Sequence, residues 1–225
     1  MTIPTPTVTR TWTCILFDLD GTITDSAGGI TKTLVSAFIE LGIPVPDADQ
    51  LLSYVGPPIL DAFRDINGLN PEQALEALAV YRVHYQRDGE LDSAVFPGIA
   101  GLIKDLHRAG IPLAVATSKP ELAARRILDH FGLAQYFDVI SGASEDESLS
   151  AKADVITQAL ERLGEAGTDL THVVMVGDRG HDIVGAAASD IPTIMVEWGY
   201  GSPAESKGAL AIVHSVDQLR SLLLS

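Results

Sequence analysis

Cysteine is almost missing from this 225-residue chain: Cys14 stands alone. No disulfide can form within one chain, so a small fold stapled by disulfides is excluded, and the expected compartment is the reducing cytoplasm. Cys14 lies in an apolar run and reads as a small packing hydrophobe rather than a reactive thiol. Basic residues are scarce as well. Fifteen Lys and Arg against thirty Asp and Glu leave a formal net charge of -15. That surface repels nucleic acid and anionic membranes, so neither is expected as a partner, and an anionic substrate has to be drawn in by local charge. No apolar run approaches the length of a membrane span. Met1 to Thr11, rich in Thr and Pro, lacks the apolar core of a signal peptide and is expected to fray. Internal repeats and low-complexity tracts are absent too. What the chain does have is apolar residues, 46% of the total, enough for a sizeable core. The length allows one large domain or a core with a smaller appendage, as a monomer or a homodimer.

The most informative stretch is Cys14-Ile15-Leu16-Phe17-Asp18-Leu19-Asp20-Gly21-Thr22, an apolar run that stops at two carboxylates and a glycine turn. It predicts a buried parallel strand covered on both faces. Ligands in open α/β sheets bind beyond the carboxyl ends of such strands, and side chains two apart point the same way. Asp18 and Asp20 can therefore reach one substrate. This spacing suits phosphoryl transfer through a covalent aspartyl phosphate. Asp18 is the candidate nucleophile; Asp20 is the candidate acid for the leaving alkoxide and the base for the hydrolytic water. Gly21 permits the sharp turn, and Thr22 can offer its hydroxyl to a phosphate or back to the turn. A calcium loop starting at Asp18 is excluded, because its turn glycine would fall on Ile23 and its closing acid on Gly29.

Phe17 to Ser26, Phe-Asp-Leu-Asp-Gly-Thr-Ile-Thr-Asp-Ser, resembles the first motif of the haloacid dehalogenase-like hydrolase superfamily, and the resemblance extends over nearly the whole chain. Within it the chain is similar to the phosphoglycolate phosphatase-like branch, whose members dephosphorylate small metabolites with Mg2+. The implied fold is an α/β Rossmann-like parallel sheet with helices on both faces, carrying a small all-helical cap domain inserted after the first strand. The apolar spacing agrees. Ile30, Leu34, Ala37, Phe38 and Leu41 form a helical pattern that Gly42 and Pro44 end, and helices are predicted over 47–53, 58–67 and 71–87 with no strand among them. The expected division is a core of residues 1–25 and 96–225 with a cap of residues 26–95.

Beyond the cap the strand and helix alternation resumes. A strand over 111–116 ends in Thr117-Ser118-Lys119-Pro120. Thr117 or Ser118 reads either as a phosphate cradle or as the N-cap of the helix over 121–131; the resemblance assigns Thr117 to the second motif, with Ser118 beside it. Lys152, in the first turn of the next helix, is unfavourable next to the helix dipole and asks for a nearby phosphate and carboxylates. The resemblance makes it the third motif, although Ala153-Asp154-Val155 stands where the branch commonly has prolines, which leaves Lys119 as its substitute. A strand over 172–176 runs into Gly177-Asp178-Arg179-Gly180-His181-Asp182, where Asp178 and Asp182 can face one cation. The metal set expected for Mg2+ is Asp18, the carbonyl of Asp20 and Asp178 as direct ligands, with Asp182 holding a bound water. Further strands are expected over 137–141, 192–196 and 210–213, with a final helix over 216–224.

Other polar groups read as ordinary surface. Glu145-Asp146-Glu147, Arg179 and His181 are expected to be solvated, and Trp198 and Tyr200 to be packing groups. Gly56-Pro57-Pro58 resembles the cap loop that meets substrate in this branch; Arg64, Arg82, His84 and Arg87 read as solvated helix residues, with anion contact as the alternative. The combined motifs predict a phosphatase acting on a small phosphorylated metabolite, phosphoglycolate phosphatase-like, with a 5'-nucleotidase or another sugar-phosphate phosphatase as the alternative. A dehalogenase does not need Asp20 with Asp178, and a phosphonate hydrolase needs a cap lysine where only Lys32 stands. A phosphosugar mutase shares the motifs, but no mutase cap signature is evident. A phospho-accepting receiver domain would end near half this length.

Overall fold

A computed structural model of the chain describes residues 11–225, so the expectation for the first ten residues lies outside the described ones. The apolar run becomes β1 (Cys14–Phe17), all four residues buried. Its alternating side chains divide between two cores. Ile15 and Phe17 enter a cluster with Ile99, Leu102, Ile127 and Leu219; Cys14 and Leu16 enter one with Ile156, Ala159, Leu163 and Ala186. A strand covered on both faces can carry no polar residue until it ends, which is why its carboxylates begin at Asp18.

After β1 come the two-residue β2 (Thr24–Asp25) and the helices α1 (Ala27–Leu41), α2 (Ala48–Leu52), α3 (Ile59–Asp65) and α4 (Pro71–His84), the last extended by a π-helical turn at Tyr85–Gly89. β3 (Ala94–Val95) then pairs antiparallel with β2, Thr24 opposite Val95 and Asp25 opposite Ala94. This ribbon, which the sequence pattern does not predict, brackets the helical segment. The segment has its own core, centred on Phe38. Its ring meets Tyr54 at 6.0 Å and Phe63 at 5.9 Å edge-on, an arrangement aromatic quadrupoles favour. α1 ends at Gly42 and α4 begins with a capping box between Asn70 and Gln73, as their start and stop signals require.

The chain then returns to the sheet through α5 (Ile99–Arg108), β4 (Leu113–Pro120), α6 (Glu121–His130), β5 (Val139–Ala143), α7 (Lys152–Glu165), β6 (Val173–Gly177), α8 (Gly180–Ala187), β7 (Thr193–Val196), β8 (Ala211–Val213) and α9 (Val216–Leu223). The six strands lie in the order β5-β4-β1-β6-β7-β8, with every pairing between neighbours parallel. α5, α6 and α9 supply the core on one face, α7 and α8 that on the other. The expected Rossmann-like sheet with helices on both faces is therefore present. From β1 the chain crosses first to β4 on one side and later to β6 on the other, so the order reverses at β1 and leaves a crevice beyond the strand ends. Among the described residues no helix is long and apolar enough to cross a membrane.

One boundary differs in a way that matters. β4 runs on to Pro120 instead of ending at Ala116, with an irregular register against β5 between Ala116 and Pro120. Thr117, Ser118 and Lys119 thus lie on a strand, and Pro120 is the N-cap of α6 without a side-chain cap bond. The helix-capping reading of Thr117 and Ser118 does not hold.

Candidate active site

The carboxyl ends of β1, β4 and β6 bring the predicted residues together. Asp18, Asp178 and Asp182 each offer an oxygen within 4.8 Å of the others, and all three are buried. Asp178 follows β6 directly. The turn after β1 makes room for it: Gly21 has φ 79, and a Cβ there would fall 2.2 Å from Asp178 Oδ2. Gly199 closes the other side, its Cβ position 2.4 Å from the same oxygen. Only a chain with no side chain at both places can pack against this carboxylate.

The Lys152 ammonium is the counter-charge. It lies 2.8 Å from Asp18 Oδ1 and 2.9 Å from Asp182 Oδ1, and donates to the Ala116 carbonyl at 3.2 Å, which the irregular register of β4 leaves available. Burial disfavours the charged lysine, but Asp18 and Asp182 outweigh it and hold the ammonium above its ordinary range. One cation does not balance three carboxylates. Burial, then repulsion from Asp182 and Asp18, pushes Asp178 up to about 8. Burial likewise raises Asp18 to about 6, with Lys152 opposing and Asp182 reinforcing the rise. A buried, anion-rich oxygen cluster of this kind fits a divalent hard cation, which would remove the repulsion.

Asp20 occupies a separate environment. Its Oδ2 is 3.0 Å from Lys119 Nζ, whereas its Oδ1 is buried without a hydrogen-bond partner. Its carboxylate stands outside the three-carboxylate cluster. Lys119 also donates to the Tyr85 hydroxyl at 2.6 Å. It does not reach solvent, contrary to what its place beside Pro120 suggests. Both lysines, not one, line the site.

The remaining predicted residues divide. Thr117 is buried, and its hydroxyl accepts from the Lys119 N–H at 3.3 Å. Ser118 is buried with an unpartnered hydroxyl at the wall of the adjoining cleft, where a phosphate oxygen could be met. The Thr22 hydroxyl donates to Asp178 Oδ1 at 3.3 Å and so turns toward the carboxylates. Gly56, at φ 110, lines the cleft next to His181 and Arg179. Asp182 also accepts from the Arg179 N–H at 3.0 Å, so it caps α8 while it faces Lys152.

Several groups read as solvated are engaged. Arg179 pairs with Glu205 at 2.9 Å and donates to the Val55 carbonyl at 2.7 Å, tying the sheet to the helical segment. His181 is buried enough to be pushed down to about 4, first by desolvation and then by Lys152. Arg82 meets Glu147 at 2.6 Å, so neither is a free surface charge. Arg64, His84 and Arg87 pair with Asp61, Glu40 and Asp88 and do not line the cleft. Tyr200 is structural, as expected, but through its hydroxyl, which accepts from the Ser26 and Ala27 N–H groups at the start of α1. Charge pairing between segments far apart in sequence leaves no local signal, which is why these contacts escape a pattern reading.

Comparison with known proteins agrees with this geometry. The profile of the family described as haloacid dehalogenase-like hydrolase matches residues 15–196. The chain is 46% identical over 213 residues to the Tyrosine-protein kinase PtkA of Mycobacterium tuberculosis, covering 93% of this chain and 72% of that protein. It is 39% identical over 191 residues to a 5'-nucleotidase of Pseudomonas aeruginosa, 85% of each chain. To a plasmid-borne phosphoglycolate phosphatase of Cupriavidus necator it is 31% identical over 224 residues, 96% of this chain and 95% of that one. A crystal structure of a predicted phosphatase from Clostridium acetobutylicum superposes with a TM-score of 0.88 at 40% identity, covering 93% and 97% of the two chains. A parallel sheet that gathers buried carboxylates and a lysine at its switch point, matched over nearly its whole length by these proteins, places the chain in the haloacid dehalogenase-like hydrolase family, in its phosphoglycolate phosphatase-like branch, as a phosphatase.

Proposed function

We propose that the chain hydrolyses a small phosphomonoester through an aspartyl phosphate on Asp18, with Mg2+ held by Asp18, the Asp20 carbonyl and Asp178, and with Asp182 holding a water of that ion. The observation that carries this reading is the gathering of three buried carboxylates, two of which, Asp18 and Asp182, pair with one lysine. When bound, the cation would offset the charge that otherwise keeps a carboxylate from approaching a phosphate. Asp18 attacks phosphorus; the bond to the leaving oxygen breaks, and Asp20 gives that oxygen its proton. Water then attacks the acyl phosphate and Asp20 takes its proton, so that inorganic phosphate leaves and Asp18 is restored. Lys152 balances charge on Asp18 and the phosphoryl oxygens, Thr117 and Ser118 receive a phosphate oxygen, and Gly56 lets its loop approach the substrate. Residues 26–95 serve as a cap that excludes bulk water from the site. The single buried cysteine suits work in the cytoplasm.

Phosphate release from a panel of phosphomonoesters tests this reading. Turnover is expected with Mg2+ and not in excess chelator, and is expected to vanish in Asp18→Asn, whose amide can neither attack nor balance the cation. Chelator-resistant turnover would refute the metal assignment. A second reading, transfer of the phosphoryl group to a tyrosine instead of water, is favoured by the 46% identity to a protein named a tyrosine kinase. Incubation with γ-labelled ATP and a tyrosine-bearing acceptor separates the two: label is expected in inorganic phosphate or left in ATP, not in the acceptor.

A further inference from the structure

The cleft that opens from Asp20 and Ser118 encloses about 740 Å3, its open mouth included. Its wall on the helical side is aromatic and aliphatic: Tyr54, Tyr81, Tyr85, Ile30, Ile59 and Leu78. The Tyr81 and Tyr85 rings lie nearly parallel, 14° apart, with centroids 5.4 Å from each other. Such a wall offers apolar contact to a leaving group, with the Lys119 ammonium 4.7 Å over the Tyr85 ring.

Its charges give a second, independent restriction. Three cations line the cleft, Arg82, Lys119 and Arg126, and every one has a carboxylate partner within the same wall. Arg82 meets Glu147 at 2.6 Å, Lys119 meets Asp20 at 3.0 Å, and Arg126 grips Glu90 through two bonds of 2.5 and 2.7 Å. Glu145 adds a fourth carboxylate against the three cations. A leaving group carrying its own carboxylate or second phosphate would therefore find no uncommitted cation among these residues, and would meet an excess of negative charge.

We infer that the preferred ester has an uncharged leaving alcohol bearing an aromatic ring, and that the cleft discriminates against anionic leaving groups such as glycolate. This rests on the phosphatase reading and narrows it to a substrate class. The two arginines act as specificity determinants by being occupied: a wall built for a carboxylate would leave one guanidinium free.

The test uses the full chain with Mg2+. The kcat/KM for benzyl phosphate, ethyl phosphate and 2-phosphoglycolate is compared, with p-nitrophenyl phosphate as an activity control. All three test esters leave as alkoxides, so the comparison reads the wall more than leaving-group reactivity. Benzyl phosphate is expected to exceed 2-phosphoglycolate by about tenfold or more, and to exceed ethyl phosphate. A smaller ratio, or no advantage over ethyl phosphate, overturns the inference while activity on the control keeps the phosphatase reading. No activity on any ester overturns both. Glu147→Gln, which releases Arg82, is expected to raise the 2-phosphoglycolate to benzyl phosphate ratio about fivefold or more. An unchanged ratio in a variant with native circular dichroism overturns the charge argument, and the wild-type comparison stands whether or not that variant folds.

Discussion

The Lys119 ammonium lies 3.0 Å from Asp20 Oδ2 and donates to the Tyr85 hydroxyl at 2.6 Å, so a single lysine joins the second acid of the β1 motif to the helical segment. Burial opposes the charge on Lys119, yet Asp20 and Tyr85 hold the ammonium above its ordinary range. Without it, Asp20 would be buried with no counter-charge, a cost on the order of 3–5 kcal/mol for a broken buried pair. Lys119→Met is therefore expected to lower kcat by roughly a hundredfold or more, the scale of lost acid and base catalysis. Lys152→Met should be comparably severe, because it leaves Asp18 and Asp182 unbalanced. Steady-state kinetics decide the matter: a Lys119→Met enzyme within twofold of wild type would show that the ion pair is a bystander.

The Asp20 side chain can be separated from the proposed metal set, because its carboxylate lies outside the cluster of Asp18, Asp178 and Asp182 and only its backbone carbonyl is assigned to the ion. Asp20→Asn preserves shape and an acceptor for Lys119 but carries no transferable proton. Turnover of an alkyl phosphate is expected to fall by roughly two to four orders of magnitude. The fall for p-nitrophenyl phosphate, whose leaving group needs no proton, should be smaller, and Mg2+ affinity measured by calorimetry should hardly move. Equal losses on both esters would assign Asp20 to something other than leaving-group protonation.

How far the sequence carries depends on whether a contact is written locally. β1 was legible because four apolar residues ending in Asp18-Leu19-Asp20 leave one environment for the run and one for the acids. Asp178 and Lys152 were legible because each sits where a strand ends or a helix begins. The engagement of Lys119 was not, since its partner Tyr85 comes from a helix laid over the sheet by tertiary packing. Arg179 with Val55 and Arg82 with Glu147 escaped notice for the same reason. The β2–β3 ribbon escaped because two residues are too few to show alternation. Nothing local reveals that Asp178 stands within reach of the Thr22 hydroxyl.

Cys14 yields a prediction about reactivity. It is fully buried in β1, and burial, then the charge of Asp138, pushes its thiol up to about 12. At pH 8 the thiolate fraction is then about one part in ten thousand, against roughly a quarter for an ordinary thiol near 8.5. Labelling by a disulfide reagent at pH 8 should be slower in the native protein by about a thousandfold or more than in urea, with one thiol released on unfolding. Fast labelling of the folded chain would mean that β1 opens readily.

The Tyr200 hydroxyl accepts from the Ser26 N–H at 2.8 Å and the Ala27 N–H at 3.0 Å, and donates to Asp25 Oδ1 at 2.8 Å. It takes the place of a side-chain N-cap, because Ser26 makes no cap bond of its own and its hydroxyl is buried without a partner. A helix start buried without acceptors is costly, since its first N–H groups have no partner within the helix. Tyr200→Phe keeps the ring and the backbone N–H that donates to Asp178 Oδ2 at 2.7 Å, and removes only the hydroxyl, with its two accepted bonds and its bond to Asp25. Stability is expected to fall by about 1–3 kcal/mol, the cost of leaving a buried polar group unsatisfied. Urea unfolding should show a lower midpoint at an unchanged slope. A midpoint equal to wild type would mean that water replaces the hydroxyl, and that α1 does not depend on the loop after β7 for its start.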